Sequence, residues 1–177
     1  YEAGYRRRFT DTLTIDIAAF YNDYDDLIGG STALLFDNVD EALVKGIELA
    51  ATWQVADNWR LRGSYTMLDI DSSMTDPGSG GTGDTPRHQF QIHSELDITQ
   101  NIEFNAALYY VDDLPSGGAG DYARLDLGIT WRPQHNLALS VWGQNLLDPM
   151  HPESNSNAIV PAGQVERTVY MQASIEF

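Results

Sequence analysis

The stretch WRLRGSYTM, Trp59 to Met67, decides the fold class of this chain. Trp59, Leu61, Gly63, Tyr65 and Met67 fall on one face of an extended strand, and arginine, serine and threonine fall on the other. In a helix, Arg60 would instead lie on the same side as Gly63, so apolar and polar residues would be mixed on one face. The stretch therefore predicts a β-strand with one apolar and one polar face.

The same two-residue period recurs along the whole chain. Four short turns rich in Asp, Asn, Pro and Thr (9–12, 55–58, 98–101 and 132–136) alternate with four long connections (25–40, 71–86, 112–120 and 146–164). In an antiparallel meander, all the long connections then leave at one end, as in outer-membrane barrels. We predict an all-β fold: an antiparallel up-and-down transmembrane β-barrel segment of about nine strands, with residues 1–177 as one domain. The predicted strands are 2–8, 12–24, 41–54, 59–67, 87–98, 102–111, 121–132, 136–145 and 165–177.

Composition excludes several classes of protein. Ten Lys and Arg against 26 Asp and Glu give a formal net charge of -16, which would repel a nucleic-acid backbone, so no nucleic-acid partner is expected. The absence of cysteine excludes disulfides, cysteine-based zinc sites and thiol catalysis. No run reaches the ~18 apolar residues of a transmembrane helix. Barrel strands remain possible because their apolar residues alternate with polar ones.

Aromatic residues on the predicted apolar face form two rows. One row lies at the short-turn ends of the strands and the other towards the long connections, as in the interfacial girdles of a membrane barrel. Alternation alone leaves open an alternative, a complete small β-barrel, soluble or outer-membrane, that binds a small apolar ligand. The short-turn row is Trp53, Trp59, Phe104, Trp131 and Phe177, and the other is Tyr21, Tyr65, Tyr110 and Tyr122.

Several motifs occur in the order found in one family. The chain resembles, over essentially its whole length, the C-terminal part of a TonB-dependent outer-membrane receptor. The motifs are Gly46-x-Glu48, Trp59-x-Leu61-x-x-x-Tyr65, Pro86-Arg87-His88, Asn145-Leu146-Leu147-Asp148 and the terminal Phe177.

This resemblance implies a function, a location and partners. Such receptors take up iron-siderophore complexes, haem, cobalamin or other scarce nutrients through a plugged barrel of about 22 strands. Residues 1–177 contain no plug domain and no TonB box, so we expect them to be a C-terminal piece of a larger receptor. The location implied is the bacterial outer membrane, with the long loops extracellular and the C-terminus periplasmic.

The implied partners are outer-membrane lipid and lipopolysaccharide, the receptor's own plug domain and remaining barrel strands, the TonB energy-transducing complex, the barrel-assembly machinery and a small-molecule metal complex. The resemblance also implies that the last strand carries the assembly signal read by that machinery. Its residues are Val169, Met171, Ile175 and Phe177.

Candidate substrate-facing residues are those on the polar face of the predicted strands that lie near the long-loop ends. Arginine and aromatic groups near the long-loop ends could hold an anionic, aromatic ligand such as a ferric catecholate. The alternative is that these residues contact the plug. The set is Arg87, Gln89, Tyr109, Arg124, Trp142 and Gln144.

Other candidate sites lack the pattern that their chemistry requires. His88 and His93 lie five positions apart and point to opposite faces of a strand. His151 and Glu153 are expected in a loop, because Pro149 and Pro152 should end the strand before them. No metal site and no cofactor are predicted.

Three further patterns also fail. Asp69, Asp71 and Ser73 imitate an EF-hand loop until Met74 takes the glycine position. The glycines at 78–83 lack the Gly-Lys-Ser/Thr of a phosphate loop. No nucleophile elbow surrounds a serine, so no enzyme is predicted.

Overall fold

The computed structural model describes residues 1–31, 35–72, 85–114, 119–153 and 163–176. None of these described residues forms a helix long and apolar enough to cross a lipid bilayer. Within the same ranges there are eleven strands. They are β1 Glu2–Arg8, β2 Leu13–Ser31, β3 Leu35–Ala56, β4 Trp59–Ser72, β5 His88–Thr99, β6 Ile102–Val111, β7 Tyr122–Gln134, β8 Leu137–Gln144, β9 Met150–Pro152, β10 Gln164–Glu166 and β11 Thr168–Ile175.

Nine of the strands in the described residues form one antiparallel sheet in the order β1-β2-β3-β4-β5-β6-β7-β8-β11, and β9 pairs with β10 in a separate ribbon. Each strand of the large sheet lies beside its neighbour in sequence up to β8, so the all-β, up-and-down architecture is confirmed. In this part of the chain β1 and β11 are the two edges of the sheet, which is not closed into a barrel.

Short turns join β1 to β2, β3 to β4, β5 to β6 and β7 to β8, as the sequence predicts. Threonine side chains stabilise two of them. The Thr10 hydroxyl accepts hydrogen bonds from the backbone N–H groups of Thr12 at 3.2 Å and Leu13 at 3.0 Å. Thr99 accepts the equivalent bond from Ile102 at 3.0 Å. Each hydroxyl satisfies N–H groups that the ladder leaves free, which fixes the strand register.

The predicted loop 25–40 is largely wrong. β2 continues to Ser31 and β3 begins at Leu35, so the two strands form a long hairpin. The register shifts between Tyr24 and Leu27, where Asp26 has a positive φ of 58°. An extra residue at a bulge moves the following side chains to the other face. The bulge therefore interrupts the two-residue period that would have marked the strand.

The predicted strand 165–177 is two strands. β11 pairs with β8 and β10 pairs with β9, and the backbone N–H of Arg167 between them donates to the Pro149 carbonyl at 2.9 Å. Pro152 does not end the ladder as predicted, because it lies opposite Gln164 in a ribbon where its missing N–H can face away from the partner strand. Phe177 lies outside the described residues.

The register gives the large sheet one apolar and one polar face. A representative apolar row runs across it through Ile17, Leu49, Tyr65, Phe90 and Tyr110. No second layer packs on this face within the described residues, and Met171, for example, is 80% exposed. A contiguous exposed apolar surface marks a site that contacts a membrane, a ligand or another protein.

Candidate functional site

A hollow of about 340 Å³ lies on the polar face, over β5 to β8 and β11. Four of the six predicted substrate-facing residues line it: Tyr109, Arg124, Trp142 and Gln144. Three strands supply them, so the site depends on the sheet register and not on one segment of sequence. We call this the β6–β8 hollow.

The Arg124 and Asp126 side chains form the charged part of the hollow. The two residues lie two apart on β7, and Arg124 Nε and Nη2 donate to the two Asp126 carboxylate oxygens at 2.9 and 2.7 Å. The Asp126 side chain is 7% exposed. Because this bidentate pair neutralises both charges, Arg124 offers a ligand its remaining N–H groups and its planar face in place of a free positive charge.

Tyr109 forms the aromatic centre of the hollow. Its ring lies 5.5 Å from the Arg124 guanidinium carbon, and His93 meets it edge-on with ring centres 5.4 Å apart. Tyr109 also lines a second hollow of about 130 Å³, which contains Gln89. The structure thus connects Gln89 to the site through Tyr109.

The Trp142 ring lies against the backbone of Gly128, the residue opposite it on β7. A Cβ atom at Gly128 would lie 2.5 Å from Trp142 Cε3. Only glycine leaves room for the indole in this position. The absence of a Cβ atom at Gly128 therefore lets the indole lie directly against the β7 backbone.

Asn145, the first residue of the Asn-Leu-Leu-Asp motif, connects the end of β8 to its neighbours. It is fully buried and has a positive φ of 53°, a conformation that asparagine tolerates better than most residues. Its backbone N–H donates to Asp126 Oδ1 at 3.0 Å and its side-chain amide to the Val165 carbonyl at 2.9 Å. Asp126 thus holds Arg124 and the start of the 145–149 segment together.

A cluster of Tyr122, His151 and Glu153 was missed by the sequence reasoning. Tyr122 was predicted on the apolar face, which is wrong: it lies opposite Val111 on the polar face. The sequence did contain a signal for this: Tyr122 lies two positions before Arg124, and residues two apart on a strand share a face. His151 was predicted in a loop, but it is a β9 residue, 5% exposed, stacked on Tyr122 with ring centres 4.1 Å apart.

Glu153 completes this cluster. One carboxylate oxygen lies 3.2 Å from His151 Nε2, and the Tyr122 hydroxyl also bonds to Glu153. The pairing of β9 with β10 brings these groups together, and no short-range pattern in the sequence marks that pairing. Among the described residues, no group of three or more His, Asp or Glu side chains is arranged to hold a metal ion.

Arg87 is not brought to the β6–β8 hollow. Its guanidinium donates to Asp69 Oδ1 at 2.6 Å, and Asp69 lies opposite Lys45 in the β3–β4 ladder. Lys45 and Asp69 share the apolar face with Ile47 and Met67. Arg87 precedes β5, so the alternation of the strand does not set the direction of its side chain.

Comparison with known proteins agrees with this architecture. Residues 1–146 match the family model described as TonB dependent receptor-like, beta-barrel. The catecholate siderophore receptor Fiu of Escherichia coli strain K12 is 22% identical over 149 residues, covering 77% of this chain and 20% of the relative. The chain therefore spans about a fifth of the length of that relative.

Solved structures share the fold. The closed form of Fiu from Escherichia coli K12 superposes with a TM-score of 0.81 at 22% identity, covering 99% of this chain and 27% of that one. The ferric yersiniabactin uptake receptor FyuA from Yersinia pestis gives 0.80 at 23% identity, covering 100% and 29%. On the family match and this fold, the chain belongs to the TonB-dependent receptor β-barrel family.

Proposed function

We propose that this chain is the C-terminal part of the barrel wall of an outer-membrane receptor that takes up an iron-siderophore complex. The family match over residues 1–146 is the observation that carries the proposal. The name of the relative Fiu, a catecholate siderophore receptor, supports this ligand class. The chain itself contributes a binding surface and no catalytic chemistry.

The β6–β8 hollow supports an aromatic, anionic ligand. Tyr109, Trp142 and Tyr170 offer aromatic surfaces, and the Arg124 guanidinium lies among them. Because Asp126 neutralises Arg124, recognition here relies on N–H donors and ring faces more than on net positive charge. Planar catecholate rings fit such a surface. Gln89 would contribute from the neighbouring hollow that Tyr109 also lines, whereas Arg87 lies on the opposite face. The receptor's own plug is the alternative occupant of the hollow.

The sheet geometry suggests an orientation and partners. The apolar face would contact membrane lipid, the long-loop ends would be extracellular and the C-terminus periplasmic. β1 and β11, the edges of the sheet in the described residues, would pair with the remaining barrel strands. The plug and the TonB energy-transducing complex would act through the rest of the receptor. The exposed β11 residues Val169, Met171 and Ile175, with Phe177, would form the signal for the barrel-assembly machinery.

A complete small barrel is the competing proposal. It would require β1 to pair with β11, and these strands are unpaired edges in the described part of the chain. This observation favours the larger receptor.

Iron-limited growth tests the proposal. The receptor that contains this chain is expressed in a strain lacking its own siderophore receptors, and growth is measured with ferric catecholates, ferric hydroxamates and haem as iron sources. We expect rescue by a catecholate. We also expect Tyr109→Ala to weaken ligand binding roughly fivefold to tenfold, since an aromatic contact contributes about 1 kcal/mol.

The matched control is Tyr5→Ala, a tyrosine that is 55% exposed on the apolar face of β1 and should leave uptake unchanged. Rescue by haem alone would replace the siderophore assignment. Equal effects of the two tyrosine substitutions would refute the role of the hollow.

A further inference from the structure

The β6–β8 hollow contains a histidine that the predicted substrate-facing set left out. His93 lies on the polar face of β5, opposite Arg62 on β4 and Ala107 on β6. It is half-buried and lines the hollow together with Tyr109. The two rings meet edge to face with their centres 5.4 Å apart. This contact holds the imidazole beside the aromatic surface that the proposed ligand contacts.

The ring nitrogens of His93 remain available to a ligand, unlike those of two other histidines in the strands. His88 Nδ1 lies 2.8 Å from the Tyr65 hydroxyl. His151 Nε2 lies 3.2 Å from a carboxylate oxygen of Glu153. In the described parts of the chain, no hydrogen bond reaches either ring nitrogen of His93. An imidazolium at this position therefore has two N–H donors to offer.

Charged side chains around the hollow balance one another when His93 is neutral. Arg124 neutralises Asp126, and Arg62 pairs with Glu95, the carboxylate that lies two positions from His93 on the same face. Protonation of His93 therefore adds a net positive charge. Among the described residues, four positive and four negative side chains line the hollow or interact with a residue that lines it: Arg60, Arg62, Arg124 and Arg132 against Glu95, Glu103, Asp126 and Glu153.

We propose that protonated His93 binds the anionic ligand and supplies the positive charge that Asp126 removes from Arg124. An imidazolium N–H donates to an anionic oxygen of the ligand while the Tyr109 ring contacts its aromatic part. The inference rests on the proposed function, because it takes the β6–β8 hollow as the ligand site.

Ligand binding is then coupled to proton uptake. Histidine is the side chain that changes its charge near neutral pH, and an anionic ligand binds the imidazolium more tightly than the neutral imidazole. By linkage, the ligand favours the protonated ring, and protonation favours the ligand. The affinity of the receptor for the ligand therefore rises as the pH falls.

The test uses the full receptor that contains this chain, purified in detergent, with the ferric complex of a hexadentate tris-catecholate as the probe. Dissociation constants are measured from pH 8 to pH 6 by quenching of tryptophan fluorescence. The comparison is with His93→Gln, which keeps a polar side chain and removes the titratable group. The ratio of the two constants at each pH cancels the protonation of the ligand itself. We expect this ratio to rise by about fivefold from pH 8 to pH 6, because a charged donor makes a hydrogen bond roughly twice as strong as a neutral one.

Calorimetry in buffers of different ionisation enthalpy provides a second measurement, the number of protons taken up on binding. At pH 7 the unmodified receptor should take up a larger fraction of a proton per ligand than His93→Gln does. The matched control is His135→Gln, an exposed histidine between β7 and β8, which should reproduce the unmodified receptor in both measurements.

A purely structural role of His93 would change the dissociation constant by the same factor at every pH. A ratio that stays constant from pH 8 to pH 6, or equal proton uptake by the His93→Gln variant and the unmodified receptor, would overturn the proposal. Failure of the unmodified receptor to bind the tris-catecholate at any pH would instead refute the proposed function.

Discussion

Replacing Asp126 by alanine tests how the candidate site is held together. The Asp126 carboxylate accepts two bonds from Arg124 and one from the Asn145 backbone N–H. The Asp126 side chain is almost fully buried, and the Arg124 side chain is about a quarter exposed. A hydrogen bond to a charged group contributes about 1.5–3 kcal/mol, but Arg124 can regain part of this by solvation. We therefore expect Asp126→Ala to lower the free energy of unfolding by about 2–4 kcal/mol.

Two further variants separate the parts of this effect. Asp126→Asn keeps an acceptor for the Asn145 N–H but removes the charge, so it should cost about 1–2 kcal/mol. Combining Asp126→Ala with Arg124→Ala should cost less than the sum of the single losses by about 1–3 kcal/mol, because the second substitution removes a group that has already lost its partner.

Equilibrium unfolding of the full receptor in lipid vesicles, followed by tryptophan fluorescence across a urea series, gives these free energies. The slope of the transition must stay constant among the variants for the comparison to hold. An unfolding free energy for Asp126→Ala within about 0.5 kcal/mol of the unmodified receptor would refute the reasoning, since changes of that size are typical of surface sites without such bonds.

Two other predictions concern the faces of the sheet and the support of the indole. Leu139→Arg, on the apolar face, should reduce membrane assembly at a cost of about 2–4 kcal/mol, whereas Ser140→Arg, on the polar face, should be tolerated. Membrane insertion is measured by resistance to urea extraction. Equal insertion of the two variants would contradict the face assignment. Gly128→Ala should displace the Trp142 ring and cost about 1–3 kcal/mol, because its Cβ would overlap the indole. Gly63→Ala is the control, since its Cβ would lie 3.6 Å from the nearest carbonyl oxygen; equal stability of the two variants would show that the ring has room to move.

The fold was largely predictable because its main signal is local. Strand alternation in Trp59–Met67 and its repeats predicted the strands of the large sheet, and short turns predicted their antiparallel order. The prediction failed where the period is broken. Because of the bulge near Asp26, the alternation did not predict that β2 and β3 continue beyond it. Because the 145–149 segment interrupts the alternation, the pairing of β9 with β10 was not predicted either.

The candidate site was predictable only in part. The strand face and the distance from the long-loop ends identified four residues that the structure brings to one hollow: Tyr109, Arg124, Trp142 and Gln144. The same rule failed for Arg87, which precedes its strand and turns to Asp69 on the other face. A side chain outside the regular ladder is directed by its partners and not by alternation.

The sequence by itself determined that this chain is an antiparallel sheet with one apolar and one polar face. Side-chain alternation depends only on the extended backbone, so it can be read from the order of the residues. The tertiary structure alone decided what the polar groups do. Asp126 neutralises Arg124 and holds Asn145, and His151 stacks on Tyr122 from a ribbon 29 positions further along the chain. These contacts join residues distant in sequence, and their geometry depends on strand register and buried hydrogen bonds that no local pattern encodes.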